Sequence, residues 1–101
     1  MVILQVLFDY KGGFGDEMYK ECKDLANSIN QEKGFLWKIW TENKEDKKAG
    51  GIYAFDNEEN AKNYILMHKK RLSDFGVASN FTYEILNTND ELSKITNFKT
   101  K

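Results

Sequence analysis

The sequence predicts an α+β domain in the order strand-helix-strand-strand-helix-strand, with a four-stranded antiparallel sheet carrying both helices on one face. Three observations predict it. Apolar side chains recur at every second position in separate short runs, the pattern of half-buried strands. Between the first and second runs, and again between the third and fourth, the period lengthens to that of a helix. The second and third runs are joined by a stretch too short for a crossover, so they pair antiparallel. At 101 residues the chain has room for one domain, 1–101, and one core.

The first strand is Val2 to Tyr10, where Val2, Leu4, Val6, Phe8 and Tyr10 share a face. Gly12-Gly13-Phe14-Gly15 breaks it, and Gly15 or Asp16 can cap the helix that follows. Met18, Cys22, Leu25, Ala26 and Ile29 form that helix's apolar stripe, and Lys33 and Gly34 supply its expected ending. The second strand, Phe35 to Glu42, sets Phe35, Trp37 and Ile39 against Leu36, Lys38 and Trp40. A charged hairpin loop, Asn43 to Lys48, leads through Gly50-Gly51 to the third strand, Ile52 to Phe55. Asp56 and Glu59 read as a capping box for a second helix ending at Gly76, with Ala61, Tyr64, Ile65, His68 and Leu72 on one side. Val77 to Leu86 is the fourth strand, and the polar tail from about residue 88 holds a weak helical turn, Asp90 to Ile95. This is the ferredoxin-like order. The helices cover one sheet face; the other carries Ile3, Leu7, Leu36, Trp40, Tyr53, Phe55 and Leu86. So much wet apolar surface predicts a homodimer, two sheets packed face to face, with Leu36, Trp40, Tyr53 and Phe55 at the interface.

Charge and composition exclude several functions. Fifteen basic against sixteen acidic residues leave no positive field for nucleic acid or an anionic membrane. Lys69-Lys70-Arg71 reads as the solvated last turn of a helix. The lone Cys22 cannot form an internal disulfide and suits a reducing compartment; with no basic segment ahead of Val2–Phe8, the cytoplasm is the expected location. One Cys and one His cannot make a zinc site, and the Gly12–Gly15 turn lacks the Lys and spacing of a phosphate loop. No metal and no cofactor are expected. The Asn80-Phe81-Thr82 glycosylation triplet falls on a strand and reads as coincidence.

His68 is the odd residue, an imidazole on an apolar helix stripe where Leu would be ordinary. It reads either as a core histidine with one polar partner or as the wall of a pocket with Phe35, Trp37, Tyr64 and Tyr83. There it could take a proton from a phenol or quinol while the rings stack on a flat substrate. A bulge in the second strand would exchange the roles of Trp37 and Trp40.

Gly12-x-Phe14-Gly15-Asp16-x-Met18, the run Leu25 to Glu42, Ala49-Gly50-Gly51-Ile52-Tyr53-x-Phe55 and His68-x-x-Arg71-Leu72 together resemble the YdhR-type mono-oxygenase family. The chain departs from that pattern at Gly13 and Lys33, where prolines are expected. The resemblance implies a dimeric α+β barrel with its pocket between sheet and helices, in a superfamily that includes cofactor-independent oxygenases of quinols and haem-degrading enzymes. A haem would need His68 as its axial ligand. Two function classes follow: a cofactor-independent mono-oxygenase of an aromatic or quinol-like compound, and a small-molecule binding or stress-response module that uses the same pocket without turnover.

Overall fold

The expected order holds in a computed structural model of the chain, which describes residues 1–99; the last two positions of the polar tail lie outside the described residues. The elements are β1 (Val2–Tyr10), α1 (Asp16–Ile29), β2 (Phe35–Asn43), β3 (Lys48–Phe55), α2 (Glu58–Asp74), β4 (Ala78–Asn87) and a short α3 (Asp90–Ile95). The strands form one antiparallel sheet in the order β2-β3-β1-β4, the ferredoxin-like arrangement. No helix among the described residues is long and apolar enough to cross a membrane.

The core lies where the β1 pattern put it. Val2, Leu4, Val6, Phe8 and Tyr10 are all buried, facing Ala61, Tyr64, Ile65 and Leu72 of α2. Of α1, only Met18 and Ile29 are fully buried, while Cys22, Leu25 and Ala26 are half-covered. The first helix therefore stands off the sheet, and a groove runs beneath it. Gly50 lets β1 and β3 approach: a Cβ there would run into the Val6 carbonyl.

Two strands carry the opposite phase to the expected one. Residues paired across an antiparallel ladder share a face, and Tyr53 pairs with Leu4 and Phe55 with Val2. Tyr53 and Phe55, expected at a dimer interface, are thus core residues, 1% and 0% exposed. In β2 the register shifts between Phe35 and Trp37, a bulge that reverses the alternation. Beyond it Lys38 pairs with Tyr53 and Trp40 with Gly51, so both turn towards the helices, while Trp37 and Ile39 turn to the open face. Trp40 therefore leaves the expected interface set and Trp37 the expected pocket. A second shift lies in β4 opposite Leu7 and Asp9. There Asn80 takes φ 55°, and its side-chain amide donates to Asp9 at 2.7 Å.

Helix ends also differ from expectation. Asn57 caps α2 by accepting from the Asn60 amide at 2.9 Å, and Asp56 instead accepts from the Asn60 side chain. No basic residue lies in the last turn of α1, which stops at Ile29; Gly34, at φ 76°, makes the turn into β2.

Candidate active site

The groove under α1 is bounded by Met18, Tyr19, Cys22 and Ala26 on the helix and by Trp40 and Glu42 on β2, with a volume of about 490 Å³. Glu42 also holds the β1–α1 loop at its rim, accepting from the Gly15 amide at 3.0 Å. The groove continues inward past Met18, Cys22 and Trp40 to a cavity of about 40 Å³ lined by Phe8, Tyr10, Lys38 and His68. That inner space has room for a water or a molecule the size of dioxygen. The groove has room for a flat ring system.

Sequence spacing explains what α2 brings. Tyr64, His68 and Arg71 lie on one face, one and two turns apart. The Tyr64 and His68 rings stack at 5.1 Å, and Tyr53 and Phe55 pack against Tyr64 at 5.2 and 5.5 Å. Arg71 Nη2 lies 2.9 Å from His68 Nδ1. A guanidinium can only donate, so Nδ1 accepts and the imidazole proton sits on Nε2. His68, 2% exposed, is held down to about 3 by its burial and then by the cations Lys38 and Arg71. Its charged form is suppressed, and the ring nitrogen not engaged by Arg71 is an Nε2–H donor. Burial pushes Tyr64 up to about 12, with Tyr53 and Arg71 near enough to pull it partway back but not in hydrogen-bonding geometry; its hydroxyl is buried without a partner.

Lys38 enters this cluster from β2 because of the bulge. Its Nζ lies 3.3 Å from the Trp40 ring centroid and 4.5 Å from that of Tyr53. The ring faces favour the ammonium form, but burial lowers the amine to about 7, with nearby Cys22 opposing that and Arg71 adding to it. Lys38 is therefore a mixture of amine and ammonium near neutral pH. Burial likewise raises Tyr10 to about 12, and it lifts Cys22 above its ordinary range, so the thiol is no ready nucleophile.

Of the expected pocket residues, the structure brings Tyr64 against His68 but not the others. Phe35 packs on Phe55 at 5.9 Å, away from the inner cavity. Trp37 lies on the open face, 6.5 Å from Phe98. Tyr83, paired with Val6 on edge strand β4, is 38% exposed and does not line the cavity. The residues that sequence reasoning passed over are Lys38, Tyr10 and Arg71; Trp40 it set at the interface, with the pocket as the alternative should β2 carry a bulge, and the bulge is there. One signal was available: a lysine inside an otherwise aromatic strand, Phe35-Leu36-Trp37-Lys38-Ile39-Trp40. No group of three or more His, Cys, Asp or Glu among the described residues could hold a metal.

The suppressed charge on His68 has a measurable consequence. On acidification the unfolded chain takes up a proton near pH 6.5, while the folded imidazole resists until about 3. Stability is therefore expected to fall as pH drops through that window, with the unfolded state binding more protons. In His68→Leu this part of the loss should vanish. Urea midpoints at pH 6.5 and pH 5 for both proteins check it, and equal losses in the two would contradict the burial argument.

A family model described as "Putative mono-oxygenase ydhR" matches residues 3–99. No curated protein matches the chain in sequence. Among solved structures, the chain is similar to a putative antibiotic biosynthesis monooxygenase from Deinococcus radiodurans, with a TM-score of 0.63 and 13% identity over 88% of this chain and 93% of that one. It is also similar to the heme-degrader MhuD from Mycobacterium tuberculosis, solved with two hemes in its active site (TM-score 0.60, 16% identity, 88% and 96% covered). A third is SnoaB, a cofactor-independent oxygenase from Streptomyces nogalater, solved as a mutant (TM-score 0.60, 14% identity, 87% and 92% covered). At such identities the likeness shows the fold.

Proposed function

Since the chain belongs to the ydhR family of mono-oxygenases, we propose that it oxidises a small quinol-like aromatic compound with dioxygen, without a bound cofactor, in the groove between α1 and the sheet. The observation that carries this reading is the pairing of an aromatic-walled groove with Lys38 and His68 at its inner end. The substrate ring lies along Trp40, and its hydroxyl reaches Lys38.

Lys38 is the proton acceptor and His68 the donor that holds the oxygen. Moving a proton from a phenol of ordinary acidity, near pKa 10, costs about 4 kcal/mol if Lys38 at about 7 receives it and about 10 kcal/mol if His68 at about 3 does. The expectation that His68 itself is the base therefore gives way to one in which its Nε2–H steadies the resulting oxyanion. The electron-rich ring carbon then reacts with dioxygen to give a hydroperoxide. Loss of water breaks the O–O bond and leaves a hydroxyquinone. One oxygen atom enters the substrate, the other leaves as water, and the substrate supplies all four electrons.

A haem does not fit this pocket. Arg71 engages His68 Nδ1, and the space His68 borders is about 40 Å³, far below the volume of a porphyrin. Oxygen uptake with a panel of naphthoquinols tests the reading. One dioxygen consumed per quinol, with hydroxyquinone formed and no hydrogen peroxide released, is the expected result. Saturable quinol binding with no oxygen consumed would instead establish the non-catalytic binding module.

A further inference from the structure

Size separates the inner cavity from the groove. The groove measures about 490 Å³ and the cavity beyond it about 40 Å³, and the two share Met18, Cys22 and Trp40. A benzene ring fills a cavity of about 150 Å³, whereas one water takes about 30 Å³ of the liquid. A ring therefore stops in the groove, and only a molecule of a few atoms goes further. Most of the cavity wall is hydrocarbon: Phe8, Ala49 and Leu72 are buried, and Leu25 is half-covered. Water is held in such a space where roughly two to four polar groups meet it, while an apolar gas gains simply by leaving water. Lys38 borders the same cavity. It forms no ion pair with a carboxylate among the described residues, where the ion pairs are Lys48–Asp9, Lys70–Asp74 and Lys94–Glu91.

We infer that the inner cavity is the dioxygen site: the aromatic ring stays against Trp40, and the gas occupies the space bounded by Phe8, Ala49, Leu72 and Lys38. This rests on the reading above that the chain is an oxygenase. The placement closes the proton balance of that reaction. When the ring carbon bonds to dioxygen, the electron pair of the substrate anion makes the C–O bond. The O–O double bond becomes single, and the distal oxygen takes the negative charge. By then Lys38 holds the proton it took from the ring hydroxyl. Its ammonium borders the cavity without a carboxylate to neutralise it, so the charge develops beside a cation already in place. Passing that proton to the distal oxygen gives the hydroperoxide and returns Lys38 to its amine form.

Crystals of the full chain pressurised with xenon, an apolar atom that enters dry cavities, test the site without turnover. One xenon bounded by Phe8, Ala49 and Leu72 is the expected result. Xenon only in the groove or nowhere, or ordered water in the cavity under xenon, overturns the inference. Kinetics give a second measure. Ala49→Val places a strand-favouring residue in β3 and fills the cavity. It should raise the KM for dioxygen by about tenfold, the exclusion expected of an overfilled space. Quinol affinity measured without oxygen should not change, since Ala49 does not line the groove. An unchanged KM for dioxygen in a folded variant overturns the inference; if Ala49→Val does not fold, as judged by circular dichroism, the xenon result decides. The two readings fail separately. Oxygen uptake by a protein whose cavity takes no xenon removes the site and leaves the oxygenase standing. Xenon in the cavity with no uptake from any quinol overturns the oxygenase reading, and the inference with it.

Discussion

Replacing Lys38 with Met is expected to lower quinol-dependent oxygen uptake by about two to four orders of magnitude, the usual contribution of a positioned general base. The substitution keeps most of the stem's volume against Trp40 and Tyr53 and removes only the amine. It also ends the cost of holding an ammonium partly buried, so the variant should melt no lower than the wild type. The pH profiles separate loss of a base from loss of shape. Wild-type activity should rise with pH through about 7 as the amine is freed, then level off. The Lys38→Met residual rate should show no step there. Stability carries the same signature. The folded amine sheds its proton near 7 and the unfolded one near 10.5, so the unfolded state holds more protons between them and stability climbs with pH across that interval. Lys38→Met should flatten that climb. A variant that turns over quinols at the wild-type rate would remove Lys38 from the chemistry.

The order of elements was legible because it rests on periods, and periods survive errors of one residue. The β1 face, the α2 stripe and the buried His68 all follow from spacing alone. What the sequence withheld was phase. In β3, Ile52-Tyr53-Ala54-Phe55 is apolar at every position, so alternation cannot choose a face; the choice comes from pairing Tyr53 with Leu4 and Phe55 with Val2. In β2 the bulge between Phe35 and Trp37 inverts every later side chain, and nothing local marks its place, since neither glycine nor proline lies there. That one inversion moved Lys38 and Trp40 into the site and Trp37 out of it. The site was therefore half visible. The helix supplied His68 and Tyr64 by simple geometry; of the strand residues, Trp37 took the opposite face, while Phe35 and Tyr83 keep the expected face but lie away from the cavity. Arg71 was passed over for a different reason, because three consecutive basic residues read as a solvated end. Lys69 and Lys70 are indeed exposed, but Arg71 turns back along α2 to His68.

The same inversion relocates the surface on which assembly should depend. The open face of the sheet now presents Ile3, Leu7, Ile39, Ile52 and Leu86, with Ile39 57% and Leu7 44% exposed. Between these strands lies a shallow depression of about 410 Å³ that includes Leu7, Thr41, Ile52 and Thr82. Aliphatic side chains over so much of one sheet are an unpaired face, and we propose that two copies cover it by packing sheet to sheet as a homodimer. In a two-fold interface each substitution acts twice. Ile39→Glu should therefore forfeit about 3–6 kcal/mol of apolar burial, roughly two to four orders of magnitude in the dimer dissociation constant. Trp40→Glu is the informative control. On the expected alternation it would split the dimer; on the observed register it faces α1 and should leave assembly intact while spoiling ligand binding in the groove. Sedimentation equilibrium at micromolar concentration distinguishes the cases. A wild-type mass of 11.8 kDa would dispose of the dimer, and dissociation by Trp40→Glu but not by Ile39→Glu would mean that the interface lies on the helix side of the sheet.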